Sequence, residues 1–178
     1  MSDFTAPNTG NYVVSKANCY FTPVGGTRRH LGNVPEAQLE AEIEKLEHYS
    51  AMTGIKVRDF VAVISKAFTI SLTLEEFTRD NLQLALLGGE LAAEDTEGNI
   101  GFDIGASDSI TGRLEIIASN QIGPKWDYDF PSVTFSPEEA IDLISNSDDS
   151  VGAIGVTADI NAVNGSFGRA TLQGSATA

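Results

Sequence analysis

Two histidines, His30 and His48, a single cysteine, Cys19, and several close carboxylate pairs are the residues of this chain that could do chemistry. A Ser-His-Asp hydrolase needs an imidazole held between a nucleophile and an acid. Both imidazoles here fall in charge-rich strand or turn sequence that offers no such setting. The pairs Glu75-Glu76, Asp127 with Asp129, Glu138-Glu139 and Asp148-Asp149 could supply the acid and base of a glycosidase. Nothing separates one pair from the others, and acid pairs on exposed strands and helix starts are ordinary, so no catalytic residue is assigned. Cys19 lacks the Cys and His partners of a zinc site and lies on an apolar strand face that suits a buried thiol. Asp95, Glu97 and Asn99, around Gly98, place oxygen ligands at alternate positions, but without the bidentate Glu and full spacing of a calcium loop. No glycine-rich phosphate loop leads into a helix. The chain reads as a non-enzyme with no cofactor and no metal.

The composition bounds the alternatives. With 178 residues, 42% hydrophobic and 20% charged, the chain is long enough and apolar enough for one folded domain. One cysteine excludes an intramolecular disulfide framework. A formal net charge of −14 argues against a protein that grips nucleic acid by neutralising phosphates, and suits a surface that repels DNA. No stretch has the length of a membrane-spanning helix, and the N-terminus lacks the basic and apolar blocks of a secretory signal, which predicts synthesis in the cytoplasm and no membrane partner.

The elements that must position these residues are mostly strands. Residues 1–15 show no periodicity and read as a flexible arm without a partner in the monomer, leaving 16–178 as a single β-rich domain. Ala17, Cys19 and Phe21 alternate with polar residues before a Gly-rich turn, and Arg28–Leu31 returns as a partner strand. From Val34 to His48, Leu39, Ala41 and Ile43 alternate strictly with Glu40, Glu42 and Glu44; that period of two and Pro35 favour a strand over the helix that Glu, Lys and Leu would otherwise form. Tyr49–Asp59 reads as a long loop, and Phe60–Leu74 as a strand with Phe68, Ile70, Leu72 and Leu74 on the core face and Thr69, Ser71 and Thr73 opposite. Thr78 caps a short helix with Asn81 at its third position, ended by Gly88-Gly89.

Glu90–Asp108, with six acidic residues, reads as an exposed, mobile excursion. Strands are expected at Ile110–Asn120 and Lys125–Pro131. Ser136-Pro137-Glu138-Glu139 has the form of a capping box opening a helical turn through Ile144. Ala153–Ile160 and Ser166–Leu172, joined around Asn164-Gly165, are expected to pair as a hairpin. The predicted fold is two packed antiparallel sheets, sandwich- or barrel-like, with one flanking helix and long loops.

Three strings carry a resemblance: Leu31-Gly32-Asn33-Val34, Glu44-Lys45-Leu46-Glu47-His48-Tyr49-Ser50, and Phe77-Thr78-Arg79-Asp80-Asn81-Leu82-Gln83-Leu84-Ala85-Leu86-Leu87-Gly88. Their content and order resemble the major tail tube proteins of long-tailed, non-contractile bacteriophages. In that family a Gly-Asn turn precedes an acidic strand, a "KLEH" segment, a long loop, an alternating strand and an "EFTxxNLxLALLG" helix. The likeness runs from Lys16 to Gly89, and more loosely through Phe130-Pro131-Ser132-Val133 and Asn164-Gly165-Ser166-Phe167-Gly168. It implies a structural virion protein located in the tail, forming hexameric rings stacked helically into a tube through which DNA passes. It also implies a tape measure protein and tail terminator or initiator proteins as partners.

Under that reading the function lies in interfaces and a channel wall. The loop residues Tyr49, Met52, Ile55, Lys56, Val57, Arg58 and Asp59 combine apolar anchors with charges and are the expected contact between subunits or rings. A wall that must not hold DNA should be acidic and rich in small polar groups, which selects Glu40, Glu42, Glu44, Thr69, Ser71, Thr73, Asp127 and Asp129. The alternatives are a monomeric β-sandwich that decorates a particle or binds a surface receptor or glycan, and an enzyme built on an acidic dyad.

Overall fold

The computed structural model describes residues 7–52, 54–90, 92–137, 141 and 152–174. Among the described residues a 3-10 turn (Thr9–Asn11) is followed by eight strands and one α-helix: β1 (Ala17–Pro23), β2 (Arg29–His30), β3 (Glu36–Ser50), β4 (Val57–Leu74), α1 (Arg79–Ala85), β5 (Ile110–Ala118), β6 (Trp126–Pro137), β7 (Ile154–Ile160) and β8 (Arg169–Leu172). All pairings are antiparallel, in the order β2-β1-β5-β6-β7-β4-β3, with β8 also paired to β6. The protein is thus mainly β with one flanking helix, as expected. The two expected layers belong to one continuous hydrogen-bonded sheet folded on itself.

The fold in the sheet is made at β6. Its first half, Trp126–Asp129, pairs with β8; its second, Val133–Pro137, pairs with β7; both pair with β5. Gly112 lies opposite Val133 and Leu114 opposite Phe130, so Pro131 and Ser132 together face Arg113 in a bulge. A bulge bends and twists a strand, and proline, lacking an N–H, is tolerated there at little cost. One layer is therefore β2-β1-β5 with the first half of β6 and β8; the other is the second half of β6 with β7, β4 and β3.

Alternation fills the space between the layers. Cys19 and Phe21 from β1, Leu114 from β5, Phe130, Val133 and Phe135 from β6, Ile154, Val156 and Ala158 from β7, and Ile70, Leu72 and Leu74 from β4 are all buried in one cluster. Phe21 and Phe135 meet edge to face at 5.0 Å between ring centroids. Each large side chain fully buried here contributes about 1.5–3 kcal/mol. Burial also pushes the Cys19 thiol up to about 11, which makes it inert core.

Helix α1 closes one side with Leu84 and Ala85. Its start is as predicted: the Thr78 hydroxyl accepts the Asn81 N–H at 3.2 Å. Its end differs. The left-handed residue is Leu87, φ 47°, and the Gly88 N–H then reaches back to the Gln83 carbonyl at 2.8 Å. Gly88 is needed for a different reason, since any side chain there would run into the Phe102 ring. Asn81 is buried; its amide donates to the Leu31 carbonyl at 2.9 Å and the Glu76 carbonyl at 3.0 Å, and its oxygen accepts from Arg29 at 2.8 Å. Helix, β2 and the turn before the helix are thereby tied together.

Other expectations need correction. The β7–β8 connection does turn at Asn164-Gly165, with φ values of 53° and 79° and a single bridge between Val163 and Ser166. The flanking strands nevertheless do not pair with each other, because β8 finds its partner in β6. Ser136 and Pro137 are the last residues of β6, opposite Thr157 and Val156, so they cannot open a helix; Glu138–Glu139 and all but Ile141 of the expected turn lie outside the described residues. The long loop of residues 49–59 shortens to 51–56, because Tyr49 belongs to β3 and Val57, Arg58 and Asp59 to β4. Within the arm, the backbone at Tyr12 and Val13 lies against Gly123, and just after it the Lys16 carbonyl accepts the Ser119 N–H at 2.8 Å. The acidic excursion folds back as an irregular hairpin, with Gly89 bonded to Asp103, Ala92 to Gly101 and Asp95 to Asn99.

Candidate functional site

Strands β3 and β4 pair over their whole length, from Glu36 opposite Thr73 to Ser50 opposite Val57. Strand β7 supports β4 only from Thr69 onward. Beyond that point, among the described residues, 57–68 of β4 and the facing part of β3 form a two-stranded ribbon that leaves the domain and extends roughly 40 Å at about 3.3 Å per residue. Two bulges, after Glu44 and after His48, add to its twist. A lone two-stranded ribbon is marginal in water. Among the described residues no strand pairs with either edge of this one, and it exposes Ile43, Leu46, Phe60, Val61, Val63 and Ile64.

All seven predicted contact residues meet at its tip. Tyr49 pairs with Arg58, next to Ser50 with Val57, and Met52 and Ile55 project from the loop at 95% and 74% exposure. Glu47, which sequence reasoning did not select, organises the tip by accepting the Tyr49 hydroxyl and the Arg58 guanidinium, each at 2.7 Å. The Tyr49 hydrogen bond, and then that of Arg58, hold the Glu47 carboxyl below its ordinary range; the same bond pushes the Tyr49 phenol up. Across the ribbon, His48 Nδ1 lies 2.6 Å from Asp59. Spacing along β3 could have revealed Glu47, since it shares a strand face with Tyr49.

The outer face of the β3–β4–β7 layer has a different character. Glu40 is opposite Thr69, which is opposite Asp159; Asp159 is opposite Thr134, and Thr134 opposite Thr111. A second row runs Gln38, Ser71, Thr157, Ser136, and a third begins Glu36, Thr73, Gly155. Hydroxyls are linked along these rows, Ser71 to Thr157 at 3.3 Å and Thr111 to Thr134 at 3.1 Å. Glu42 and Glu44 extend the face up the ribbon, where Glu44 accepts the Ser65 hydroxyl at 2.8 Å. Lys45 and Lys66 point to the other side by alternation, so on β3, β4 and β7 this face has carboxylates and hydroxyls and no Lys or Arg.

Six of the predicted wall residues, Glu40, Glu42, Glu44, Thr69, Ser71 and Thr73, are thus brought together, and Asp159 and Thr134 join them. The alternation in Ile154–Ile160, with Gly155, Thr157 and Asp159 opposite the apolar positions, carried the signal for Asp159. Asp127 and Asp129 are not on this face. They point outward from the opposite layer, where Asp129 takes two hydrogen bonds from Arg113 at 2.7 and 2.9 Å. Asp127 accepts the Ala118 N–H and the Gln173 amide, each at 2.8 Å.

The residues first weighed for catalysis or metal binding have structural partners. The His30 ring packs edge-on against Tyr20 and accepts the Gly32 N–H at 2.9 Å. Glu75 and Glu76 both bind Asn33, Glu76 through its N–H at 2.9 Å and Glu75 through its side-chain amide. Asp95 accepts the Glu97 and Asn99 N–H groups at 2.8 Å and the Asn99 side chain at 2.9 Å; those bonds, the Asn99 side chain first, hold its carboxyl below the ordinary value. Asp148 and Asp149 lie outside the described residues. Among the described residues no group of three His, Cys, Asp or Glu is placed to hold a metal, and no helix is long and apolar enough to cross a membrane.

Between the layers, at the end where β3 begins, the sheet does not close. A cleft of about 530 Å³ opens there, walled by Cys19, Ile70, Ile116, Trp126, Tyr128 and Phe130. The exposed Lys16 and Glu36 flank it.

A family described as "protein of unknown function UCP028589" matches residues 20–98. That span takes in most of β1, then β2, the whole ribbon, α1 and the start of the excursion. No curated protein matches the chain.

Proposed function

We propose that this chain is the structural subunit of a phage tail tube: it polymerises as hexameric rings stacked helically, around a channel through which DNA leaves the virion. The observation that carries the reading is the ribbon. A ribbon with two free edges and apolar side chains on both faces is an aggregation hazard in a monomer, and it becomes stable when neighbours cover it. The free edge of β3 and the free edge of residues 57–68 differ, so pairing one copy's β3 with the next copy's β4 is heterologous, and such contacts close into rings when the rotation permits. The outer face of Glu, Thr and Ser then forms a wall that repels phosphate and offers it no cation.

The tape measure and terminator partners implied by the resemblance, the virion location and the non-enzymatic role belong to the same proposal. The test is concentration-dependent sedimentation of the purified chain, with electron microscopy of what sediments. Hollow tubes of stacked rings are the expected result. A chain that stays monomeric at every concentration, with slow amide exchange along the ribbon showing that it needs no neighbour, would remove the reading and favour the monomeric binding module.

A further inference from the structure

The ribbon and the cleft lie at opposite ends of the same strand. The cleft is bordered by the first residues of β3, with Glu36, Ala37 and Leu39 among its lining, whereas the tip follows its last, Ser50. Leu39 and the tip loop are separated by roughly 40 Å of paired strand at about 3.3 Å per residue. Paired over that length, the ribbon cannot bend its tip back to the cleft of its own copy.

We infer that the apolar tip of one copy's ribbon, Met52 and Ile55, seats in the cleft of a second copy, joining subunits head to tail along the tube axis. The inference rests on the assembly reading and adds the acceptor site to it. Three observations favour a second copy as the occupant. The tip carries two strongly exposed apolar side chains on a short loop, and the cleft presents an aromatic and aliphatic wall in which Trp126 and Tyr128 remain 42% and 38% exposed. Charges of both signs stand at each margin, Lys56 and Asp59 at the tip and Lys16 and Glu36 at the cleft, so each can face a partner of opposite sign. The polarity is also suitable, because donor and acceptor at opposite ends generate an open repeat rather than a closed pair. Apolar anchors in a pocket, with charges at its margin, are the usual form of a binding hot spot.

The experiment uses the full chain with Cys19→Ser, Met52→Cys and Glu36→Cys, assembled and then treated with a short bis-maleimide. Both engineered positions are exposed in the free subunit. Head-to-tail seating gives a ladder of cross-linked chains well beyond the dimer, and either single cysteine alone gives none. Ile55→Glu should raise the protein concentration needed for assembly roughly tenfold or more, while Val24→Glu, on the exposed β1–β2 turn, leaves it unchanged. Assemblies that form normally but yield no ladder, or only Met52→Cys dimers, would overturn the seating and leave the assembly reading standing. Failure of the unmodified chain to assemble would overturn both.

Discussion

Replacing Glu40, Glu42 and Glu44 together by Lys converts the acidic face into a cationic one without touching the core. All three are exposed on an edge strand, a position where Lys is well tolerated. The identifiable structural loss is the Glu44–Ser65 hydrogen bond, with a net cost of about 0.5–1.5 kcal/mol. Three substitutions that each add two charges take the chain from −14 to −8. If each new Lys engages one phosphate, the logarithmic salt slope for DNA binding steepens by about 2.7 per engaged subunit. Between about 50 and 200 mM salt that is roughly a 40-fold change in retention per subunit. The assay is co-sedimentation of assembled tubes with a duplex over that salt range, followed by DNA release from tails carrying the variant. Unmodified tubes should retain nothing, and the variant should hold DNA at low salt and release it at high salt. Intact variant tubes that retain no DNA at any salt would refute the placement of this face on the channel.

Asn81→Ala removes the side-chain donor of the Leu31 carbonyl, and leaves the Glu76 carbonyl with the Thr78 N–H and Arg29 with the Asp80 carbonyl; an orphaned buried carbonyl costs about 1–3 kcal/mol, so a clear fall in the urea midpoint is expected with little change in slope. A midpoint equal to the parent's would show that α1 is not tied down by this residue. The ribbon tip should respond to acid: the Glu47 carboxyl is lowered by Tyr49 and Arg58, so its contribution is present above the unfolded value near 4.5 and is lost as pH falls through the lower folded value. Amide protection at residues 47–58, taken relative to the intrinsic exchange rate at each pH, should therefore fall in that acidic window and, in Glu47→Gln, should be low at neutral pH as well. Indifference of the variant to the change would contradict the role assigned to Glu47.

An exposed ribbon has a consequence for the free subunit. Its apolar faces and unpaired edges favour association, and the strong negative charge opposes it through mutual repulsion. Higher salt screens that repulsion, with a Debye length of about 8 Å at physiological ionic strength. The acidic face that the proposal places on the channel would thus also restrain premature assembly.

What was legible in the sequence is what short-range pattern determines. The strict alternation from Leu39 to Glu44 overrode helical propensity and identified β3; Thr78 with Asn81 located the helix start; and Phe68 to Leu74 separated core from outer face. These follow from the pleat and from capping, which act between residues a few positions apart. Partner choice is another matter. Asn164-Gly165 does turn the chain, yet β8 pairs with β6 because that edge is free where the bulge at Pro131-Ser132 sends the rest of β6 to β7. The local sequence of Ser136-Pro137 suits a helix start, but pairing with β7 overrides it. Asp127 and Asp129 alternate as Glu40 and Glu42 do, and only the fold of the sheet puts the two sets on opposite layers. That β4 outruns its support at Thr69, leaving a bare ribbon, depends on the length of β7. A strand's own residues specify its faces; which edges remain open is decided by the rest of the sheet, through pairings between residues far apart in the chain.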